Sequence, residues 1–465
     1  MTFATRIGCL AMVKLWSSSE SIFDCDATGM CPFYLSLQHE EVYKIVTQFI
    51  NPRNVHKYDP KYWEEMTEWY ERIGNCDTIY GLRATSYTDC IEFLEQSVLY
   101  KDSTLWSPTV ELFDSLIAIM NEFSRTISSS AKYSFLAFNA EKSGSLREGT
   151  KTFVPNEADI TCVAQDTTGL KINDSLSSQS SIQVLETHAH KNWLRVCRSE
   201  NILCPQKLEV EFCDAMEYAF ENTHIPSPFS AGKFSLQRKD KISCFRLLYR
   251  NDVIKDVVVS VDFVFAFPHP KYTLSKRERE LAVDDAVFYL IPKVSLRKTT
   301  SPENAHFLVS YSDIESKFIL NLPDTIRVGY IYAKAARSPK LFTLPNHIAC
   351  RLLEPFCIEE IVTTYMLKTC LMNELTSHRC AFLISEASPY DVAYSLYRHL
   401  RNGVKTKGKL AFFFDRSINL VHCEHHYDID YDDKLGCCLK RMLIVEICEA
   451  IMVLLKSKTS KPMYR

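Results

Sequence analysis

At 465 residues the chain has room for one large bilobal domain or two ordinary ones, each with its own core. A hydrophobic content of 46% with 12 glycines excludes disordered and fibrous classes. A formal net charge of -3 excludes a protein that coats nucleic acid over its whole surface, while leaving room for a local basic strip. Apart from the adjacent pair Cys437-Cys438, the 18 cysteines are scattered singly (Cys9, Cys25, Cys31, Cys76, Cys90, Cys162 among them) and read as reduced thiols packed as small hydrophobes.

In chain order, the first 35 residues lack periodicity and read as a loosely ordered lead-in. The apolar run Ile7 to Val13 is too short for a convincing signal peptide. From about Glu40 to Tyr100 apolar residues recur at helical spacing. Val110 to Ser128 is the clearest amphipathic helix, with Leu112, Leu116, Ile117, Met120 and Phe123 on one face. Residues 36–130 are therefore expected to be N-terminal helices ending in a spine helix. The polar stretch Glu141 to Gly149 reads as a turn.

The period then changes. Asp159 to Ala164 and Val257 to Phe267 alternate or run apolar with β-branched residues, as strands do. Thr168 to Gln183, rich in Ser, Thr and Asn, predicts a loop, and Lys207 to Asn222 predicts a helix. After Pro302 the pattern is mostly helical, interrupted by Pro339, Pro345, Pro355 and Pro389. Met442 to Leu455, the longest apolar stretch, carries Glu446 and Glu449 and reads as a buried terminal helix. The expectation is an α+β, bilobal, soluble and cytoplasmic protein with no membrane contact. Residues 131–300 would form a mixed sheet braced by helices, and 301–465 a helical lobe.

The informative segment is Gly144-Ser145 followed by Asn156-Glu157-Ala158-Asp159-Ile160. Glu157 and Asp159, two apart on a strand, project from one face. Such a pair is commonly a solvated face, yet adjacent carboxylates repel and a cation between them removes the repulsion. Asp262 lies inside the apolar run Val257 to Phe267, where a carboxylate is costly unless paired, ligating or turned to solvent. Three carboxylates on neighbouring strands suit a two-metal phosphoryl-transfer site holding Mg2+ or Mn2+. Asp159 and Asp262 would hold the ion that activates the nucleophile, and Glu157 with Asp159 the ion on the triphosphate. Gly144 and Ser145 would offer a backbone N–H and a hydroxyl to the β- and γ-phosphates.

These residues, in this order, resemble the cyclic GMP-AMP synthase-like receptors and the wider male-abnormal superfamily of nucleotidyltransferases. The resemblance covers roughly Val110 to Leu455. Its further carriers are Phe288-Tyr-Leu-Ile-Pro-Lys293, Val309-Ser-Tyr-Ser-Asp-Ile-Glu315 and Thr364-Tyr-Met-Leu-Lys-Thr369. It implies a nucleotidyltransferase fold and a synthase that joins two nucleoside triphosphates, ATP with GTP or another, into a cyclic dinucleotide. Activation by double-stranded RNA or another nucleic acid, innate immune signalling and a product read by a STING-type receptor are implied with it. Glu157, Asp159 and Asp262 take the place of the metal-binding carboxylates, and Ser145 that of the phosphate-contacting serine. Lys334 matches a lysine that reaches the triphosphate. Thr364 and Tyr365 match the pair whose tyrosine stacks on a base. On the residues alone, Lys334 reads as a solvated helix lysine and Tyr365 as a core aromatic.

Val264 and Leu308 stand where the synthase pocket reads a base by polar contacts, which leaves guanine specificity open. The zinc-binding insertion of the DNA-sensing vertebrate enzyme has no counterpart between Ser310 and Arg337. The cluster His422-Cys423-Glu424-His425-His426 matches no tetrahedral zinc spacing. Basic groups at Lys271, Lys276, Arg277 and Arg279, at Arg297-Lys298, at Arg337 and Lys340, and at Lys405, Lys407 and Lys409 could line a nucleic-acid groove. Two other functions stay open: a catalytically inactive interaction protein on the same fold, and a linear nucleotidyltransferase.

Overall fold

In a computed structural model, the described residues are 91–92, 94–95, 106–152, 157–174, 179–185, 189–226, 229–230, 244–249, 257–270, 272, 274–281, 283, 285–292, 307–337, 361–376, 387–407, 409–414, 416, 419–421, 434–456 and 458–459. The lead-in, nearly all of Glu40 to Tyr100 and the His422 to His426 cluster lie outside them. The chain divides into two compact units, Val98–Pro323 and Met1–Ser97 with Asp324–Arg465.

The unit Val98–Pro323 begins with α1 (Trp106–Ser128). Leu112, Leu116, Met120, Phe123 and Ile127 recur at three- and four-residue spacing and are all buried, while Ile117 is partly exposed. Ser124 sits on the same face and grips the next strand. Its hydroxyl donates to the Phe138 carbonyl at 2.6 Å and accepts from the Phe138 N–H at 2.8 Å.

That strand is β1 (Phe138–Ser143), followed by the one-turn helix α2 (Gly144–Arg147) and β2 (Glu157–Ala164). Glu141 to Ser143 thus ends a strand where the composition predicted a turn. The polar side chains are tolerated because backbone pairing with Asp159 to Thr161 holds the segment and Glu141 and Lys142 stay partly exposed. The next correction is larger. Within the expected loop Thr168 to Gln183 lie β3 (Leu170–Asp174) and most of β4 (Gln179–Val184), paired antiparallel through Ile172 and Ile182. Ile182 and Val184 are buried, whereas β3 is partly exposed throughout the positions described, so its composition stays polar.

Pro205 opens α3 (Pro205–Asn222), where its fixed φ suits the first helical position. Strands β5 (Phe229–Ser230), β6 (Cys244–Tyr249) and β7 (Val257–Pro268) follow. The short helix α4 (Lys276–Arg279), β8 (Tyr289–Ile291), β9 (Phe307–Ser310) and α5 (Ser312–Leu320) complete the unit. All nine strands form one mixed sheet, ordered β1-β2-β7-β8-β9-β4-β3, with β6 also on β7 and β5 on β6. The pairing of β2 with β7 is parallel and every other pairing is antiparallel.

One sheet face carries the core. Ala158, Ile160 and Cys162 of β2 and Val259, Val261, Phe263 and Phe265 of β7 are all buried. Phe212 of α3 packs on them, its ring centroid 4.7 Å from Phe265, 5.8 Å from Phe263 and 5.7 Å from Phe138. Each such ring contributes about 1.5–3 kcal/mol by leaving water. With this face covered by helix, the other is left for chemistry.

In the second unit the described helices include α6 (Asp324–Ala335), α7 (Thr364–Thr376), α8 (Pro389–Lys407) and α9 (Lys434–Lys456). Ser388, Pro389 and Asp391 open α8 as a capping box. The Ser388 N–H donates to Asp391 at 2.8 Å, and the Asp391 N–H to the Ser388 hydroxyl at 3.2 Å. Gly329 lets α6 approach α8: a Cβ there would lie 2.5 Å from the Val392 Cβ. The Tyr397 hydroxyl donates to the Ala333 carbonyl at 2.6 Å, tying the same two helices. Met442 to Leu455 falls within α9, where Ile444, Ile447, Cys448, Ile451, Leu454 and Leu455 are buried. Among the described residues no helix is long and apolar enough to cross a membrane.

The architecture is mixed α+β with a helical C-terminal part, consistent with a nucleotidyltransferase fold.

Candidate active site

The parallel pair β2–β7 places the carboxylates. Asp159 is the register partner of Asp262, and Glu157 that of Ser260. Laterally paired residues and residues two apart share a sheet face, so the positions of Glu157, Asp159 and Asp262 fall on the face opposite the Phe212 core. Asp159, Asp262, Ser260 and Val264 are partly exposed there. Of Glu157 only the backbone is described.

The turn before these strands is pressed against Asp159. Gly144 has φ +59°, and a Cβ built on it would lie 2.0 Å from Asp159 Oδ2. Only glycine allows both the left-handed backbone and that approach. Ser143 pairs with Asp159 across β1–β2, so Ser145 follows within one turn of the carboxylate. The turn is closed by its own backbone, with the Glu148 N–H on the Gly144 carbonyl at 3.1 Å and the Thr150 N–H on the Ser145 carbonyl at 2.9 Å.

A polar clasp that the sequence did not reveal holds α2 from outside. Arg147 forms an ion pair with Asp313 of α5, and its guanidinium is 3.8 Å from Glu141. Asp313, 1% exposed, also accepts from the Val287 N–H at 2.7 Å and pairs with Lys317 at 3.1 Å. The Tyr289 hydroxyl donates to Glu141 at 2.9 Å. Burial, and then that bond to an anion, push the tyrosine pKa up, so the hydroxyl stays a donor. Arg147 and Asp313 are 166 residues apart, and no local spacing announces such a pair.

The three remaining predicted residues belong to the other unit. Lys334, on α6, is 6% exposed, with its Nζ 5.7 Å from the Tyr330 ring centroid. The solvated-lysine alternative therefore does not describe it. Tyr365, in the first turn of α7, is 50% exposed, so it is no core aromatic. Its ring lies 6.0 Å from that of Phe412, and Lys368 Nζ is 5.3 Å from its centroid. Thr364 accepts from Arg337 Nη2 at 2.9 Å. Arg337, one of the basic groups that could line a nucleic-acid groove, is 6% exposed. Its donors go inward to backbone and hydroxyl oxygens.

The donor set of the carboxylate face fits a hard divalent cation. Asp159 and Asp262 occupy laterally paired strand positions, and oxygen donors are what Mg2+ and Mn2+ take. Among the described residues no three His, Cys, Asp or Glu side chains form such a group, the described part being two carboxylates with Glu157 known by its backbone. Cys162, Cys197, Cys204, Cys370 and Cys448 are thiols outside any disulfide.

No curated protein matches the chain. Residues 149–321 match the family model described as the Mab-21 protein nucleotidyltransferase domain. The matched span contains Glu157, Asp159 and Asp262 and most of the sheet. Gly144 and Ser145 precede it, and Lys334, Thr364 and Tyr365 follow it. The match supports a nucleotidyltransferase-type function for a chain that carries a Mab-21 nucleotidyltransferase domain, of the superfamily that contains cyclic GMP-AMP synthase.

Proposed function

We propose that the protein transfers a nucleotidyl group from one nucleoside triphosphate to a hydroxyl of another and closes the product to a cyclic dinucleotide. The observation that carries the reading is the lateral pairing of Asp159 with Asp262 on parallel strands, with Gly144 pressed against the first carboxylate. Bound at these carboxylates, Mg2+ or Mn2+ would neutralise phosphate charge and ease deprotonation of the attacking hydroxyl. The protein's own residues do the rest. Ser145 and the backbone of its turn hold the β- and γ-phosphates, and Lys334 adds a cation to the triphosphate. Tyr365, half-exposed, stacks on a base, a contact that tolerates any base because it uses the ring face.

In each transfer the hydroxyl oxygen bonds to the α-phosphorus, the bond to the β-phosphate oxygen breaks and pyrophosphate leaves. The proton passes to Asp262 or to water. Val264 and Leu308 offer apolar surface where a polar base contact would sit, so guanine loses that contact and the substrates are ATP with GTP or another triphosphate. Activation by double-stranded RNA or another nucleic acid and a role in innate immunity rest on the resemblance, and a cytoplasmic location on the cysteine pattern and the short N-terminal apolar run.

The test is purified protein with all four labelled triphosphates and Mg2+ or Mn2+, with and without double-stranded RNA and DNA. Products are separated by chromatography after phosphatase treatment. A phosphatase-resistant product absent from Asp262→Asn establishes the cyclase and reveals its bases and trigger. A phosphatase-sensitive linear product would replace it with an extending transferase. Triphosphate binding without any product under every ligand would favour the inactive interaction protein.

A further inference from the structure

Arg337 is a buried guanidinium. Its Nε donates to the Lys334 carbonyl at 3.3 Å, its Nη1 to the Val362 carbonyl at 2.6 Å and its Nη2 to the Thr364 hydroxyl at 2.9 Å. Every nitrogen of the fork is thus engaged, and two of the three acceptors flank Thr363 at the entrance to α7. Tyr365 follows immediately, its ring half-exposed. Desolvating a guanidinium is expensive, and an apolar side chain of similar size would fill the same volume at lower cost. What an apolar residue cannot do is fix two oxygens of one short segment in a single plane.

We infer that Arg337 is the positioning residue for Tyr365: by clamping Val362 and Thr364 it sets the angle at which the ring meets a nucleobase. The inference rests on the base-stacking reading of Tyr365 given above. It separates the two halves of nucleotide binding. Base contact depends on the clamp, whereas phosphate contact is expected to survive its loss, because the Arg337 Nε bond to Lys334 falls on the backbone carbonyl.

The experiment measures binding of two probes, ATP and inorganic tripolyphosphate, each with Mg2+, to the full chain by calorimetry. The variants are Arg337→Lys, Arg337→Met and Tyr365→Ala, and each Arg337 variant combined with Tyr365→Ala. Arg337→Lys keeps the charge and loses the planar fork, so it stays informative if Arg337→Met does not fold. Arg337→Lys is expected to weaken ATP about tenfold, the scale of one lost charge-assisted hydrogen bond. Tripolyphosphate affinity should be unchanged. Tyr365→Ala should show the same split, and the double variant should be no weaker than Tyr365→Ala alone, since no ring is left to aim.

Equal loss of both probes in Arg337→Lys would reduce Arg337 to a stability role and overturn the inference, as would additive losses in the double variant. ATP binding unchanged in Arg337→Lys while Tyr365→Ala weakens it overturns the inference alone. ATP binding unchanged in Tyr365→Ala overturns the stacking reading, and the inference falls with it.

Discussion

At the scale of single residues, the site depends on a side chain that is missing. Gly144 holds φ +59° with the space of its Cβ already filled by the Asp159 carboxylate. In Gly144→Ala the left-handed backbone alone costs about 1–2 kcal/mol. The clash at 2.0 Å adds to it by displacing either the turn or Asp159. The expected outcome is a lowered urea midpoint together with lost nucleotide transfer. Retention of both would mean the turn has room to relax.

A second residue-scale expectation concerns Cys197, whose pKa burial raises to about 11, with the neighbouring Cys204 adding to it and Lys207 opposing. A thiol with a raised pKa stays protonated at pH 8, and the thiolate is the nucleophile. Peptide mapping after brief iodoacetamide treatment at pH 8 should find Cys197 unmodified in folded protein and modified in urea. Rapid labelling of the folded protein would contradict its burial. The same shift works against stability in alkali. The unfolded thiol ionises near 9 and the folded one near 11, so the contribution is complete below pH 9 and lost as pH rises through that window.

The carboxylates were legible at this scale because each breaks a local rule: Asp262 interrupts an apolar strand, and Glu157 and Asp159 repeat at the strand period. Arg147, Asp313 and the inward turn of Arg337 break none, so they needed the fold.

At the scale of elements, the informative object is the β2–β7 pair. Each strand was readable from composition, but their parallel orientation and register, which put Asp159 beside Asp262, depend on the connection through β3, β4, α3, β5 and β6. The hairpin β3–β4 was hidden for a related reason. Pairing across the sheet supplies what its Ser- and Asn-rich strands lack in intrinsic propensity.

The clasp at Asp313 belongs to this scale too, since it joins β1, α2, α5 and the residue Val287 before β8. Asp313→Ala would leave the Val287 N–H without its acceptor. Arg147 and Lys317 retain access to water, with side chains 27% and 31% exposed. The expected loss is therefore about 1–3 kcal/mol, that of a buried hydrogen-bonded group, below the figure for a stranded buried charge. Denaturant unfolding measures it, and a midpoint equal to the wild type would remove the clasp from the account.

At the scale of the whole molecule, the carboxylates and the phosphate turn belong to the unit Val98–Pro323, whereas Lys334, Thr364 and Tyr365 belong to the unit that includes Asp324–Arg465. The family match covers the carboxylates, begins after the phosphate turn and ends before Lys334, Thr364 and Tyr365. The division gives a prediction of its own. Removing the divalent cation with a chelator should abolish turnover while ATP keeps a residual affinity sensitive to Tyr365→Ala. That would be read by calorimetry in the presence and absence of Mg2+. An affinity without Mg2+ that ignores Tyr365→Ala would contradict it.

Nucleotidyl transfer supported by Asp159 and Asp262 is the central proposal. Pyrophosphate is released whenever a triphosphate donates its nucleotidyl group, whatever the acceptor and whatever the shape of the product. Its release from ATP and the other triphosphates should therefore be measured first, with Mg2+ or Mn2+ and nucleic acid present, for the wild type beside a folded Asp262→Asn. The account predicts cation-dependent release by the wild type that falls at least about a hundredfold in the variant, the scale on which removing a transition-state charge contact acts. Release at the same rate by both proteins would contradict it.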